Sequence, residues 1–271
     1  MDLHQLVDQT LPKLRPHIPV FLASFIVFNV IHLALVPVVG GFFFPSQWTR
    51  MGARARNNWA VHTCSQLHAM IIVPLALRCL ALPELDAERV FGWSERSGTV
   101  QAVASGYFLW DSIDTLVNFE DLGFVLHGLA CLAIYLFSFQ PFLAYYASRC
   151  LLWEASTFFL NIHWALDKTN RTGSTLQLIN GIFLLATFFS VRIVYGGFTS
   201  YQFFQSLYDG RDKIPHITIA LIGVGNVLLQ GLNWFWLAKM IGSLRKRFVP
   251  PKNNKNENPS AAQNGHRTKT E

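Results

Sequence analysis

The sequence predicts an all-α fold, a polytopic membrane bundle of about seven transmembrane helices, on three observations. Of its 271 residues 51% are hydrophobic and only 14% charged, where soluble domains carry about 25% charged residues. The charges collect in short segments between long apolar runs. Seven of those runs approach the roughly 20 apolar residues that a helix needs to cross a bilayer.

The first run, 18–39, is about 22 residues long, too long for the apolar core of a signal peptide, and reads as a membrane anchor. The others are expected at 58–82, 100–117, 122–139, 141–166, 176–199 and 216–240. The third and fourth are the shortest. They are joined by "VNFEDLG", a tight polar turn that makes them an antiparallel hairpin. Only "FQP" separates the fourth from the fifth, and Pro141 is expected to open the fifth helix, where its missing N–H costs nothing. The chain therefore divides into an N-terminal segment (1–17), the anchor and its loop (18–49), a transmembrane domain (50–245) and a basic tail (246–271). The tail has no apolar periodicity and is expected to be disordered.

Seven spans put the termini on opposite sides. One side holds twelve lysines and arginines: Arg50, Arg54, Arg56, Lys168, Arg171, Arg245 and six in the tail. The other holds six. The excess of positive charge on cytoplasmic loops then places the C-terminus in the cytosol and the N-terminus in the lumen. The net charge of +6 is better matched to anionic headgroups than to nucleic acid, since no basic surface interleaved with aromatics is visible. Cys64, Cys79, Cys131 and Cys150 all fall in apolar runs without metal or disulfide spacing, and read as small buried hydrophobes. No metal centre is expected; His62 and His68 do not share a helix face cleanly.

The informative residues are the polar ones inside the spans, because a charge at bilayer depth needs a partner or a wet cavity. In the third span Tyr107, Asp111, Asp114 and Asn118 recur at i, i+4, i+7 and i+11, one stripe of a helix. Two carboxylates on neighbouring turns could share a proton or hold a cation. In the fourth span His127 stands alone; either it is a structural hydrogen-bonding group, or Asp111 or Asp114 fixes its tautomer and leaves the other nitrogen as base or nucleophile. In the fifth, "LLWEASTFFLNIHW" sets Glu154, Thr157 and Asn161 on one face, with His163 half a turn away and expected at headgroup level. Arg192 in the sixth span requires an anion, Glu154 or Asp111. Arg78 and Arg149 are placed to snorkel to an interface.

The order "GYFLWD", "LHG", "LLWEASTFFLNIHWALDK" and "FFSVRIVYG" resembles the TLC-domain family of endoplasmic-reticulum and endomembrane proteins, which includes the ceramide synthases of sphingolipid metabolism. The likeness spans roughly 50–245, and "E-x-S-T-x-F-L-N-x-x-W" is closer to the non-synthase, lipid-homeostasis branch. The resemblance implies a helix bundle around an elongated cavity that admits an acyl chain. In the synthases a histidine pair and a downstream pair of aspartates form the reactive centre. His127 stands at one member of that pair, with Gly128 beside it; Trp153-Glu154 and Ser156-Thr157 stand where the synthases have His-Asp and Ser-Asp. The resemblance thus implies a protein that binds acyl lipid in its bundle and takes part in membrane lipid homeostasis, with Tyr107, Glu154, Thr157, Asn161 and Arg192 in contact with the lipid. The alternative is an acyltransferase that moves a fatty acyl group from acyl-CoA, its co-substrate, to a lipid amine. His127 would then be base or nucleophile, oriented by Asp111 or Asp114. No resident cofactor is implied.

Overall fold

The computed structural model describes residues 9–248, with side chains to 245. All regular structure among them is helical. Helix α1 is one rod, Arg15–Phe43, with a π-helical turn at Ile31–Leu35. The short α2, Pro45–Arg50, leads into α3, Ala53–Arg78. A loop carrying α4, Pro83–Ala87, leads to α5, Glu95–Val117, and the hairpin to α6, Leu122–Phe137. Then come α7, Ala144–Cys150, a 3₁₀ turn at Leu151–Glu154 and α8, Ala155–Lys168. Helix α9 runs through Thr175–Asp209 with a π-helical turn at Phe189–Val194, and α10 is His216–Phe248.

Side chains set several boundaries. Asp121 Oδ1 accepts from the Gly123 N–H at 2.7 Å and starts α6; Ser174 Oγ accepts from the Gln177 N–H at 3.2 Å and starts α9. Each satisfies one of the four donors that a helix leaves open at its N-terminus. The expectation that Pro141 opens the fifth helix is not met. The chain turns there, Leu143 adopts a left-handed φ of +57°, and its N–H donates to the Val90 carbonyl at 2.8 Å in the preceding loop. The helix begins only at Ala144. A second break follows, since the 3₁₀ turn divides the fifth segment in two before α8.

The seven apolar segments fall in helical stretches, and among the described residues four helices, α1, α3, α9 and α10, against about seven expected, are long and apolar enough to cross a membrane. Helix α6 is apolar but short. Helix α5 begins five residues earlier than expected because its inward side is polar: Gln101 Nε2 donates to Ser97 Oγ at 2.8 Å, Ser97 shares a hydrogen bond with Ser148 of α7 at 2.8 Å, and Ser138 bonds Gln101. Such groups are affordable at bilayer depth only when they bond one another. The expected tail lies outside the described residues except for 246–248, which continue α10.

Helix-to-helix packing closes a ring: α3 meets α8, α8 meets α9, α9 meets α10, α10 meets α6, α6 meets α5, and α5 returns to α3. Helix α1 lies outside this ring, against α5 and α3. Its approach to α5 is close, because Ser24 Oγ donates to the Val103 carbonyl at 2.7 Å and a Cβ on Gly106 would stand 2.4 Å from the Phe21 carbonyl oxygen. Backbone cannot yield as a side chain does, so Gly106→Ala forces α1 off α5. The expected result is a lower thermal unfolding midpoint in detergent, at a cost of about 1–3 kcal/mol; an unchanged midpoint would show that α1 contributes nothing at this crossing.

Candidate functional site

The ring encloses a cavity of about 320 Å³, and all eight site residues expected from sequence line it. They come from four helices and the 3₁₀ turn before α8, so the polar stripes read separately along the chain face one chamber.

Arg192 forms its deep end. The π-helical turn that carries it inserts an extra residue into α9, a distortion common at functional positions. All three guanidinium nitrogens are occupied. Nε donates to the Trp153 carbonyl at 3.1 Å and Ser156 Oγ at 2.9 Å, Nη1 to Asn233 Oδ1 at 3.3 Å, and Nη2 to Thr157 Oγ1 at 3.1 Å and Glu154 Oε1 at 3.4 Å. Of the two anions the sequence offered, Glu154 is thus the partner, and both charged side chains are about nine-tenths buried. The 3₁₀ turn ends at Glu154, which delivers its carboxylate and the Trp153 carbonyl to the same cation.

Asn161, two turns along α8, ties that helix to α3: its Nδ2 donates to Ser65 Oγ at 3.2 Å and its Oδ1 meets His62 Nδ1 at 2.7 Å. His62 in turn stacks on Trp164 with centroids 3.8 Å apart. Tyr107 lies flat on His68 at 3.7 Å.

The two aspartates separate in role. Asp114 accepts from Asn118 Nδ2 at 2.8 Å and Asn57 Nδ2 at 3.3 Å, and His32 Nδ1 is 3.9 Å away. Asp111 lies against α6, where a Cβ on residue 128 would stand 2.9 Å from its Oδ2. Gly128 therefore makes room for a carboxylate. The expected pairing of an aspartate with His127 is not formed among the described residues. The imidazole instead touches Cys131 Sγ, 3.8 Å from each ring nitrogen, and meets the Trp236 ring edge-on at 5.4 Å.

The chamber reaches the protein surface around Asn58, Asn118, Glu120 and Asp121. There Arg54 lies 3.6 Å from Glu120 and Lys239 lies 3.7 Å from Asp121. Beyond His127, Phe108 and Glu154, which line both spaces, a narrower apolar pocket of about 50 Å³ continues between α6, α7 and α10.

One interfacial expectation changes. Arg149 does not snorkel: it is buried, lies 3.3 Å from Asp86, donates to the Leu80 and Tyr145 carbonyls and stacks 3.3 Å over Tyr145. His163 packs toward α9, its ring 3.4 Å from the position a Gly181 Cβ would take. Sequence reasoning passed over Asn57, Ser65 and Asn233. Asn233, a lone amide in the apolar "GLNWFW" run, carried the same signal as Arg192: a polar group at bilayer depth.

Comparison with known proteins agrees with this architecture. The TLC domain matches residues 58–242, the stretch that begins in α3 and ends in α10 and so holds the closed ring without α1. An uncharacterized TLC domain-containing protein of Schizosaccharomyces pombe is 36% identical over 239 residues, 88% of this chain and 82% of that protein. Topoisomerase I damage affected protein 4 of Saccharomyces cerevisiae is 26% identical over 86% of each chain. TLC domain-containing protein 4 of Homo sapiens is 26% identical over 73% of this chain and 82% of its own length. With its ring of apolar helices and a domain match over most of its length, the chain is an integral membrane protein that belongs to the TLC-domain family.

Proposed function

We propose that the protein binds an acyl lipid in the chamber and thereby takes part in membrane lipid homeostasis. The observation that carries this reading is one cavity of about 320 Å³ with a polar floor and a surface opening, adjoined by an apolar pocket of about 50 Å³. An amphipathic ligand fits such a division: the headgroup finds donors and acceptors on Asp111, Tyr107 and Asn161, and the alkyl chain finds Phe108, Leu151 and Leu229. The burial of each methylene favours binding by about 0.8 kcal/mol. An endomembrane location such as the endoplasmic reticulum, with the C-terminus cytosolic, goes with this reading through the family resemblance and the charge asymmetry of the loops.

The acyltransferase reading is favoured by one observation, that His127 lines both compartments. Against it, no carboxylate orients the imidazole among the described residues, and Asp111 fills the room of a second histidine at 128. Lipid binding is therefore the stronger conclusion.

Purification in mild detergent followed by lipid extraction and mass spectrometry tests it. An acyl lipid at about one per chain is expected with the wild type. Val61→Phe, which places a ring in the cavity from the α3 wall, is expected to lose that lipid while the protein elutes as the wild type does. Equal lipid in both would refute binding in the chamber.

The Arg192–Glu154 pair makes a separate prediction. Arg192→Met leaves a buried carboxylate without its cation and is expected to destabilise by about 3–5 kcal/mol. Glu154→Gln keeps an acceptor for the guanidinium and is expected to cost less. Thermal unfolding in detergent ranks the two, and the reverse order would contradict the geometry.

A further inference from the structure

Among the described residues, five carboxylates and two cations line the chamber, and pairing them off leaves one group over. Glu154 is taken by Arg192 at 3.4 Å and Asp121 by Lys239 at 3.7 Å. Glu120 lies 3.6 Å from Arg54 at the mouth and accepts from Asn58 Nδ2 at 3.0 Å. Asp114 accepts from two amides and has His32 Nδ1 3.9 Å away. The Asp111 carboxylate lines the same space, lies against Gly128 of α6, and has neither a hydrogen bond nor an ion pair among the described residues. An uncompensated carboxylate within a ring of apolar helices is costly, and such groups normally pair or hold a cation. The missing cation is therefore looked for on the ligand.

A metal ion fits poorly. No three His, Cys, Asp or Glu side chains converge on one point among the described residues, whereas a hard cation takes several oxygen ligands. An anionic head fits no better, because it would meet Asp111 while both chamber cations are already committed. What lines the chamber near Asp111 in the fold is aromatic: Phe108 lies one turn back on α5, and Trp236 comes from α10. An ammonium group suits these surroundings, since one carboxylate takes its charge and aromatic rings attract cations.

We propose that the chamber selects a lipid with a protonated amine head and that Asp111 is the residue that sets this preference. The proposal rests on the reading that the chamber holds a lipid, and it names the class of head. The expectation that the two aspartates of α5 could hold a cation between them narrows to one of the pair. The ammonium donates to the Asp111 carboxylate, and the chain passes Phe108 and His127, which line both spaces, into the inner pocket. Binding makes and breaks no covalent bond.

Native mass spectrometry of the full chain in mild detergent at neutral pH tests it with hexadecylamine, hexadecanol and palmitate, one chain length behind a positive, a neutral and a negative head. The wild type is expected to hold the amine about tenfold or more tighter than the other two, the scale of a hydrogen bond between charged groups. Asp111→Asn keeps the side-chain size and is expected to abolish that advantage without weakening hexadecanol. Val61→Phe is expected to lose all three. Palmitate or hexadecanol bound as tightly as the amine by the wild type overturns the proposal whether or not the variant folds, and so does an amine preference that survives Asp111→Asn. If the ligands bound without that preference are still lost in Val61→Phe, the lipid chamber stands while the assignment of its head falls. Binding that ignores Val61→Phe removes both.

Discussion

A guanidinium inside a ring of apolar helices is the constraint from which the site follows. Arg192 is 5% exposed in its place in α9, and the fold brings it acceptors from two other helices and the turn before α8. The π-helical turn in α9 and the 3₁₀ turn before α8 are departures from regular geometry that meet at this one cation. Removing a charge from water costs several kcal/mol and is offset only by full hydrogen bonding. The three helices are therefore held in a fixed relation by a polar interaction at a depth where apolar packing alone selects no register.

The opposite wall obeys the same rule with a different result. Asp114 is hydrogen-bonded by amides and belongs to the scaffold, whereas Asp111 faces the chamber across Gly128. That glycine bears on chemistry. A histidine at 128 would need the volume that the Asp111 carboxylate occupies, so this chamber is built around one imidazole. His127 then has a thiol neighbour rather than a second ring or an orienting carboxylate.

Much of this was legible in the sequence, because the cost of polar groups in a bilayer is large enough to read one residue at a time. Tyr107, Asp111, Glu154, Asn161 and Arg192 each stood out against apolar neighbours, and helical periodicity placed the first two, and Glu154 with Asn161, on common faces. Pairing across helices was less accessible. Spacing along a chain says nothing of which stripe meets which, so Arg192 had two candidate anions and His127 two candidate carboxylates. The break at Leu143 was hidden because Pro141 reads as a helix start; the Val90 carbonyl that holds the turn comes from 53 residues earlier in the chain. Helix α5 looked weak for a related reason. Its serines and glutamine lower its hydropathy, and only the facing Ser138 and Ser148 explain why they are tolerated.

The central claim is that the hydrophilic side chains of these helices converge on a chamber occupied by lipid. Photo-crosslinking with a diazirine-bearing acyl lipid in a bilayer, mapped residue by residue, tests it most directly. The account predicts adducts on the chamber wall, at Val61, Phe108 and Thr157, displaced by excess unlabelled lipid. Adducts confined to outward-facing positions such as Leu33, Ile182 and Val224, all more than half exposed, would contradict it.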